Sequence, residues 1–260
     1  MWEKQDLYDF LEIHWKFIHR DDFSKKDNLR CMYCESIIYS DGCSQSEYCC
    51  QELKESVEKQ KEIELASIEK DKEVEKAEKQ YQFAMSMKDS DIEGWEKGAS
   101  FKSFHPRDRE TELNKQICRK FTEEGCEKTN LILAGSVGAG KTHLAIATAK
   151  HIAYHQRKTF RILRCSSATY TKTAEEYNQD VLIIDDIGRE AGSDARVKAK
   201  LALVSEVIEA RTRKRMKTIY TTNLTVVELT AKYGSHIVDR MLENSEIGKR
   251  LDIESYRSKQ

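Results

Sequence analysis

The spacing of apolar residues changes character midway along the chain. In the second half, residues 131–134, 160–163, 181–184 and 218–222 form short, mostly aliphatic runs, and between them apolar residues recur at intervals of three and four. Short runs separated by amphipathic stretches predict strands buried on both faces, a parallel sheet with helices packed against it. The first half lacks such runs. Residues 51–90 contain neither Gly nor Pro, and Glu and Lys interleave, many of them four apart, which supports an exposed helix through pairs one turn away. Its apolar positions are sparse: Leu53 and Val57, then Val74, Ala77, Tyr81 and Ala84. Only the last four keep the alternating spacing of a heptad seam, too short for a coiled coil, so a solvated connecting helix with one packing patch is expected. Upstream, Trp2, Leu7, Phe10, Leu11, Trp15, Phe17 and Ile18 make an aromatic-rich amphipathic stretch, suited either to packing on its neighbours or to docking a partner. Gly94, Gly98, Ser100 and Pro106 mark a linker. The pattern predicts three parts: a module at 1–50, a charged helix and linker at 51–98, and an α/β domain at 99–260.

Composition narrows the function classes. The 260 residues carry 44 Lys+Arg against 45 Asp+Glu, a net charge of -1. That balance excludes a uniformly basic nucleic-acid coat and an acidic disordered tail. No segment approaches the roughly 20 apolar residues that span a bilayer, and the N-terminus has charges where a signal peptide has an apolar core. A soluble, cytoplasmic protein is expected.

Gly135-Ser136-Val137-Gly138-Ala139-Gly140-Lys141-Thr142 fits the phosphate-loop pattern and lies between a predicted strand and helix. In such a loop the glycines let successive N–H groups face phosphate oxygens, and the helix start adds a favourable dipole. Lys141 would reach the β- and γ-phosphates and Thr142 would bind Mg²⁺; His143 opens the helix beside them. Downstream, the strand at 181–184 ends in Asp185 and Asp186. Asp185 suits the Mg²⁺ shell and Asp186 suits orienting the attacking water, so the pair predicts hydrolysis. No guanine-reading Asn-Lys-x-Asp tetrad occurs, which favours ATP. Asn223, at the end of the strand at 218–222, suits either a γ-phosphate contact or a turn.

The loop GSVGAGKTHLA, the strand VLIIDDIG, the turn TTNL, and HIVDRM followed by ESYRSK resemble the DnaC/DnaI-type bacterial helicase loaders, AAA+ ATPases related to the transposition helper IstB. The segment 99–104, ASFKSF, resembles the one that introduces their ATPase domain. The resemblance covers roughly residues 99–258. It implies that Asn223 is sensor 1, that Arg240 is an arginine finger reaching a neighbour's ATP site, and that Arg257 is the sensor 2 arginine. A finger in trans makes hydrolysis depend on self-association through the ATPase domain. The resemblance further implies a hexameric DnaB-type replicative helicase as partner, bound through the N-terminal region, and single-stranded DNA as a ligand. Two departures stand out: Asp186 replaces the usual Glu, which implies slow turnover, and the stretch after Asn223 leaves room only for a reduced lid.

Cys31, Cys34, Cys43, Cys49 and Cys50 cluster within the first 50 residues. The C-x2-C start followed by further thiols has the spacing of a zinc site, with four of the five as ligands and one of Cys49 and Cys50 spare; free thiols are the alternative. Cys118, Cys126 and Cys165 are scattered and read as buried apolar residues. Arg196, Lys198, Lys200, Arg211, Arg213, Lys214, Arg215 and Lys217 flank one helical stretch, either a stripe that tracks a single strand or a solvated face. Rival readings are a transposition helper with duplex DNA and a transposase partner, a non-hydrolysing ATP-switched adaptor and, least favoured, a small-molecule kinase.

Overall fold

The computed structural model describes residues 29–30, 37–40, 43–44, 51–167 and 173–251. The chain divides into two compact units, Met1–Glu75 and Lys76–Gln260. In the first, strands β1 (Leu29–Arg30), β2 (Ile37–Ser40) and β3 (Cys43–Ser44) form a small antiparallel sheet in that order. Helix α1 (Gln51–Lys88) begins in this unit and runs for 38 residues, about 57 Å at 1.5 Å per residue. Residues 61–78 are exposed all round, including Ile63, Leu65, Ile68 and Val74. The solvated helix is as expected, but its packing patch is not the predicted one. Val74, Ala77, Tyr81 and Ala84 face solvent, whereas Phe83, Ser86 and Met87 turn inward. Phe83 meets Tyr154 edge to face at 5.5 Å, and Ser86 Oγ accepts from Phe160 N at 3.1 Å. A seam read from spacing alone selects a face without knowing which one meets the sheet.

The second unit holds five parallel strands: β4 (Asn130–Ala134), β5 (Phe160–Arg164), β6 (Val181–Ile187), β7 (Lys217–Thr222) and β8 (Ser245–Ile247), in spatial order β5-β6-β7-β4-β8. Helices α2 (Arg109–Phe121) and α3 (Lys141–Gln156) cover one face; α4 (Asp194–Arg213), α5 (Val226–Tyr233) and α6 (Ser235–Leu242) cover the other. Alternate strand residues feed the two cores. Leu131, Leu133, Val181 and Ile183 join Leu144 and Ile152 on the first face; Ile132, Leu182 and Ile184 join Val207, Ile208 and Ile237 on the second. This is the α/β architecture the runs predict.

Two features depart from expectation. The linker stretch up to residue 98 is packed rather than loose: Ile92 lies in the first core, before a 3-10 turn at Gly94–Gly98, and Ala99, Phe101 and Phe104 of the segment assigned to the α/β domain join the same core. Ser90 O accepts from Ile162 N at 3.0 Å, Asp91 pairs with Arg161 at 2.7 Å, and Glu96 pairs with Arg164, so this segment covers the open edge of β5. Strand β8 has no aliphatic run to announce it. It forms because β4 offers an open parallel edge, registering Leu131 against Glu246. Among the described residues, no helix is long and apolar enough to cross a membrane.

Candidate functional site

The carboxyl ends of β4, β6 and β7 converge on one cleft of about 790 Å³. The loop from β4 into α3 forms its floor. Gly135 has φ of 150°, and a Cβ there would lie 2.2 Å from Leu251 O, a backbone atom that cannot yield. Gly138 and Gly140 also take positive φ, so the chain turns back and α3 begins at Lys141 with its N-terminus toward the cleft.

Lys141 is buried, and its Nζ donates to Gly135 O at 3.0 Å, Ser136 O at 2.7 Å and Asn223 Oδ1 at 2.7 Å. Burial lowers its pKa; the Asp186 and Asp185 carboxylates oppose the shift, and the Arg250 and Arg189 cations add to it. Thr142 Oγ1 donates to Asp185 Oδ1 at 2.8 Å. The same oxygen accepts from Thr221 Oγ1 at 2.7 Å, and the Thr221 hydroxyl accepts from Asp186 N at 2.9 Å. Thr221 therefore fixes the Asp185 carboxylate and the Asp186 backbone, a role the sequence reading missed; its trace was a hydroxyl in a buried strand two residues before Asn223. Burial raises the Asp185 pKa, offset by the Thr221 hydrogen bond, with the Asp186 charge raising it further and the Thr142 bond lowering it.

Asp186 sits at a register break between Ile184 and Ile187, with φ of 54°. That left-handed conformation frees its carboxylate from the strand and faces it into the cleft beside Asn223 and Arg189. Trp95, Phe104, His105 and Arg107 line the other wall, making an aromatic and cationic flank to the loop.

Other predicted residues fall as follows. Val137 is half exposed and Ala139 is buried under the loop; Ser136 donates to Leu251 O from its N–H at 2.6 Å and its hydroxyl at 3.2 Å. The His143 ring turns toward the 95–104 segment, with Nε2 3.0 Å from Ser100 O and the ring 5.4 Å from that of Phe104; burial lowers its pKa. Arg240 is exposed on α6 and pairs with Glu243 at 3.0 Å, outside the cleft lining. Arg257, Cys31, Cys34, Cys49 and Cys50 lie outside the described residues; only the backbone of Cys43, in β3, is described. Cys118 and Cys165 are buried as expected, Cys126 partly so. Among the described residues no cluster of three His, Cys, Asp or Glu could hold a metal.

The basic stripe divides. Lys200 is buried, donating to Ser166 O and Ala191 O at 2.9 Å; Arg211 is buried among backbone carbonyls; and Lys217 lies over the Phe121 ring at 4.3 Å. Arg196, Lys198, Arg213, Lys214 and Arg215 are exposed, but the first two and last three sit at opposite ends of α4, about 26 Å apart. These residues do not form a continuous stripe.

Residues 72–260 match the family described as IstB-like ATP binding protein. Among curated proteins the chain is similar to the replicative helicase loader DnaC of Escherichia coli K12, 26% identical over 143 residues covering 50% of this chain and 57% of that protein. The same-named protein of Shigella flexneri matches equally. The matched stretch therefore spans little more than half of these relatives. Among solved structures, the crystal structure of the DnaC helicase loader has a TM-score of 0.51 at 24% identity, covering 62% of this chain and 100% of that one. That of DnaI has a TM-score of 0.51 at 19% identity, covering 64% and 94%. These likenesses show that the α/β domain shares its fold with those two structures. A phosphate loop braced against the strand-end Asp185 carboxylate stands inside the matched region, and the chain belongs to the IstB-like ATP-binding protein family.

Proposed function

We propose that the chain is an ATP-hydrolysing loader of a hexameric replicative helicase onto single-stranded DNA, with hydrolysis coupled to helicase release. The observation that carries the ATPase part is the Thr142–Asp185–Thr221 network, which ties the start of α3, the end of β6 and the end of β7 into one site. Each group there has a task in phosphoryl transfer. The loop N–H groups and Lys141 hold the β- and γ-phosphates, with Lys141 exchanging its loop carbonyls and Asn223 for phosphate oxygens. Thr142 and Asp185 fit Mg²⁺: a hydroxyl and a buried carboxylate already converge, and a divalent cation would offset the burial that disfavours the ionised Asp185 carboxylate. When bound, the ion supplies charge neutralisation on the transferred phosphoryl group. Asp186, turned into the cleft by its backbone, accepts a hydrogen bond from the attacking water, and Asn223 positions the γ-phosphate. Arg240 is exposed on α6, as a residue that completes a neighbour's site must be.

The loader part is supported by the likeness to the DnaC helicase loaders. In it, the N-terminal module carries zinc on four of Cys31, Cys34, Cys43, Cys49 and Cys50 and holds the helicase, while the ATPase domains assemble and contact the single strand. The test is co-purification of the full chain with the host's hexameric helicase in the presence of ATP, alongside zinc quantification of the purified protein. Stoichiometric zinc and an ATP-dependent complex are expected; capture of a transposase instead, with preference for duplex DNA, would replace loading by a transposition role.

A further inference from the structure

Arg189 has no part in the phosphate loop, the strand-end carboxylates or the arginine motifs considered above, yet it lines the same cleft as Lys141, Thr142, Asp186 and Asn223. Its backbone is fixed from both sides. Arg189 N donates to Asp186 O at 3.0 Å, closing a turn, and on its other side the buried Glu190 carboxylate accepts from Gly188 N at 3.0 Å and pairs with Lys232 at 2.7 Å. Gly188 completes the turn at φ of 101°, where a Cβ would run into Leu224 at 2.3 Å. The guanidinium, by contrast, is loosely held: Nη1 lies 3.8 Å from Asp186 Oδ2 and the side chain is 52% exposed. A pair at that distance and exposure contributes little and yields to a stronger anion.

We propose that Arg189 is a nucleotide-reading arginine acting within its own subunit: it leaves Asp186 for the terminal phosphate of a nucleoside triphosphate. The exchange distinguishes triphosphate from diphosphate by position, because Arg189 lines the cleft with Asp186 and Asn223, where the ATP reading puts the third phosphate, and the planar guanidinium can take that phosphate bidentately. It also releases the Asp186 carboxylate to hold water at the moment the substrate is complete. The inference rests on the ATP reading of the cleft and specifies which residue senses the γ-phosphate.

The test is calorimetric titration of full-length wild-type, Arg189→Ala and Arg189→Lys protein with Mg²⁺ plus ADP, and with Mg²⁺ plus a non-hydrolysable ATP analogue. For Arg189→Ala we expect a loss of triphosphate affinity on the order of tenfold or more, with diphosphate affinity within about twofold of wild type. Arg189→Lys, which keeps the charge and loses the fork, should recover part of the difference. Equal losses for both nucleotides, or none, overturn the proposal. So does faster ATP turnover in Arg189→Ala at unchanged triphosphate affinity, which would make Arg189 a brake on Asp186. If wild-type protein binds neither nucleotide, the ATP reading fails first and this inference with it.

Discussion

Strands β6 and β7 carry a buried cation near each end, and the two differ in what surrounds them. At the carboxyl ends, Lys141 donates to Gly135 O, Ser136 O and Asn223 Oδ1. At the amino ends, Arg211 donates to Thr218 Oγ1 and to the carbonyls of Tyr177, Gln179, Asp180 and Lys217. Both are nearly inaccessible, and burial lowers the pKa of both, that of Arg211 to about 10. Neither burial nor a shifted pKa therefore marks a functional cation. What separates them is the destination of their donors. Arg211 is saturated by backbone carbonyls at the starts of two strands and does not line the phosphate-loop cleft, so it holds the strand starts together. Lys141 borders an open cleft with two carboxylates nearby, and its partners are groups that a phosphate can replace.

That contrast predicts opposite phenotypes. Arg211→Met leaves four carbonyls without their donor and should destabilise the second unit by about 3 kcal/mol, read as a lowered denaturation midpoint. Nucleotide affinity of the folded protein should stay within about twofold of wild type. A loss of affinity matching that of a cleft substitution would erase the distinction between the two ends. Lys141→Ala should do the reverse: about a hundredfold weaker ATP binding with little change in midpoint, because water entering the cleft can satisfy the carbonyls Lys141 releases.

An intermediate effect is expected at Glu190, which is buried like Arg211 but belongs to the turn that ends the cleft. Burial alone would raise its pKa, yet the Lys232 ammonium, the Tyr233 hydroxyl and the Gly188 N–H hold it below the ordinary carboxylate value. A depressed folded pKa contributes stability that is complete above the unfolded value and is lost as pH falls through the folded one. Glu190→Gln should therefore cost about 2 kcal/mol at neutral pH, with the gap to wild type closing in acid below about pH 4. Unfolding curves at pH 7 and pH 3.5 check this; a gap that does not narrow would place Glu190's contribution in packing.

The same contrast explains what was legible in the sequence. The phosphate loop, the carboxylates at the end of β6 and the four aliphatic strands were readable because each depends on neighbouring residues: glycines in order, a buried run, a helix start. Thr221 and Arg211 were not, since their roles depend on which strands lie side by side. Thr221 matters because β7 pairs with β6, and Arg211 because α4 ends over the starts of both. Strand β8 forms from the sequence SEI only because β4 has an open edge. In the basic stretch around α4, charge alone could not separate Lys200, Arg211 and Lys217, which point into the protein, from Arg196 and Lys198, which do not. Single-strand binding, if it uses α4, has only the exposed members to draw on.

Lys158 supplies the smallest effect and the control for both ends. It pairs with Asp180 at 3.4 Å, with the two side chains 48% and 41% exposed. Unlike Arg211 it is not caged by backbone carbonyls, and unlike Lys141 it does not line the phosphate-loop cleft. Removing it orphans nothing: Asp180 Oδ2 keeps the Thr159 N–H at 2.9 Å and the Thr159 hydroxyl at 2.8 Å. Lys158→Ala should thus lower stability by less than about 1 kcal/mol, and less still in high salt, where an exposed pair is screened. Denaturation at low and high ionic strength measures it directly. A salt-independent loss as large as that of Arg211→Met would mean that exposure, like burial, fails to sort the cations of this protein, and that the backbone carbonyls around Arg211 are not what makes it structural.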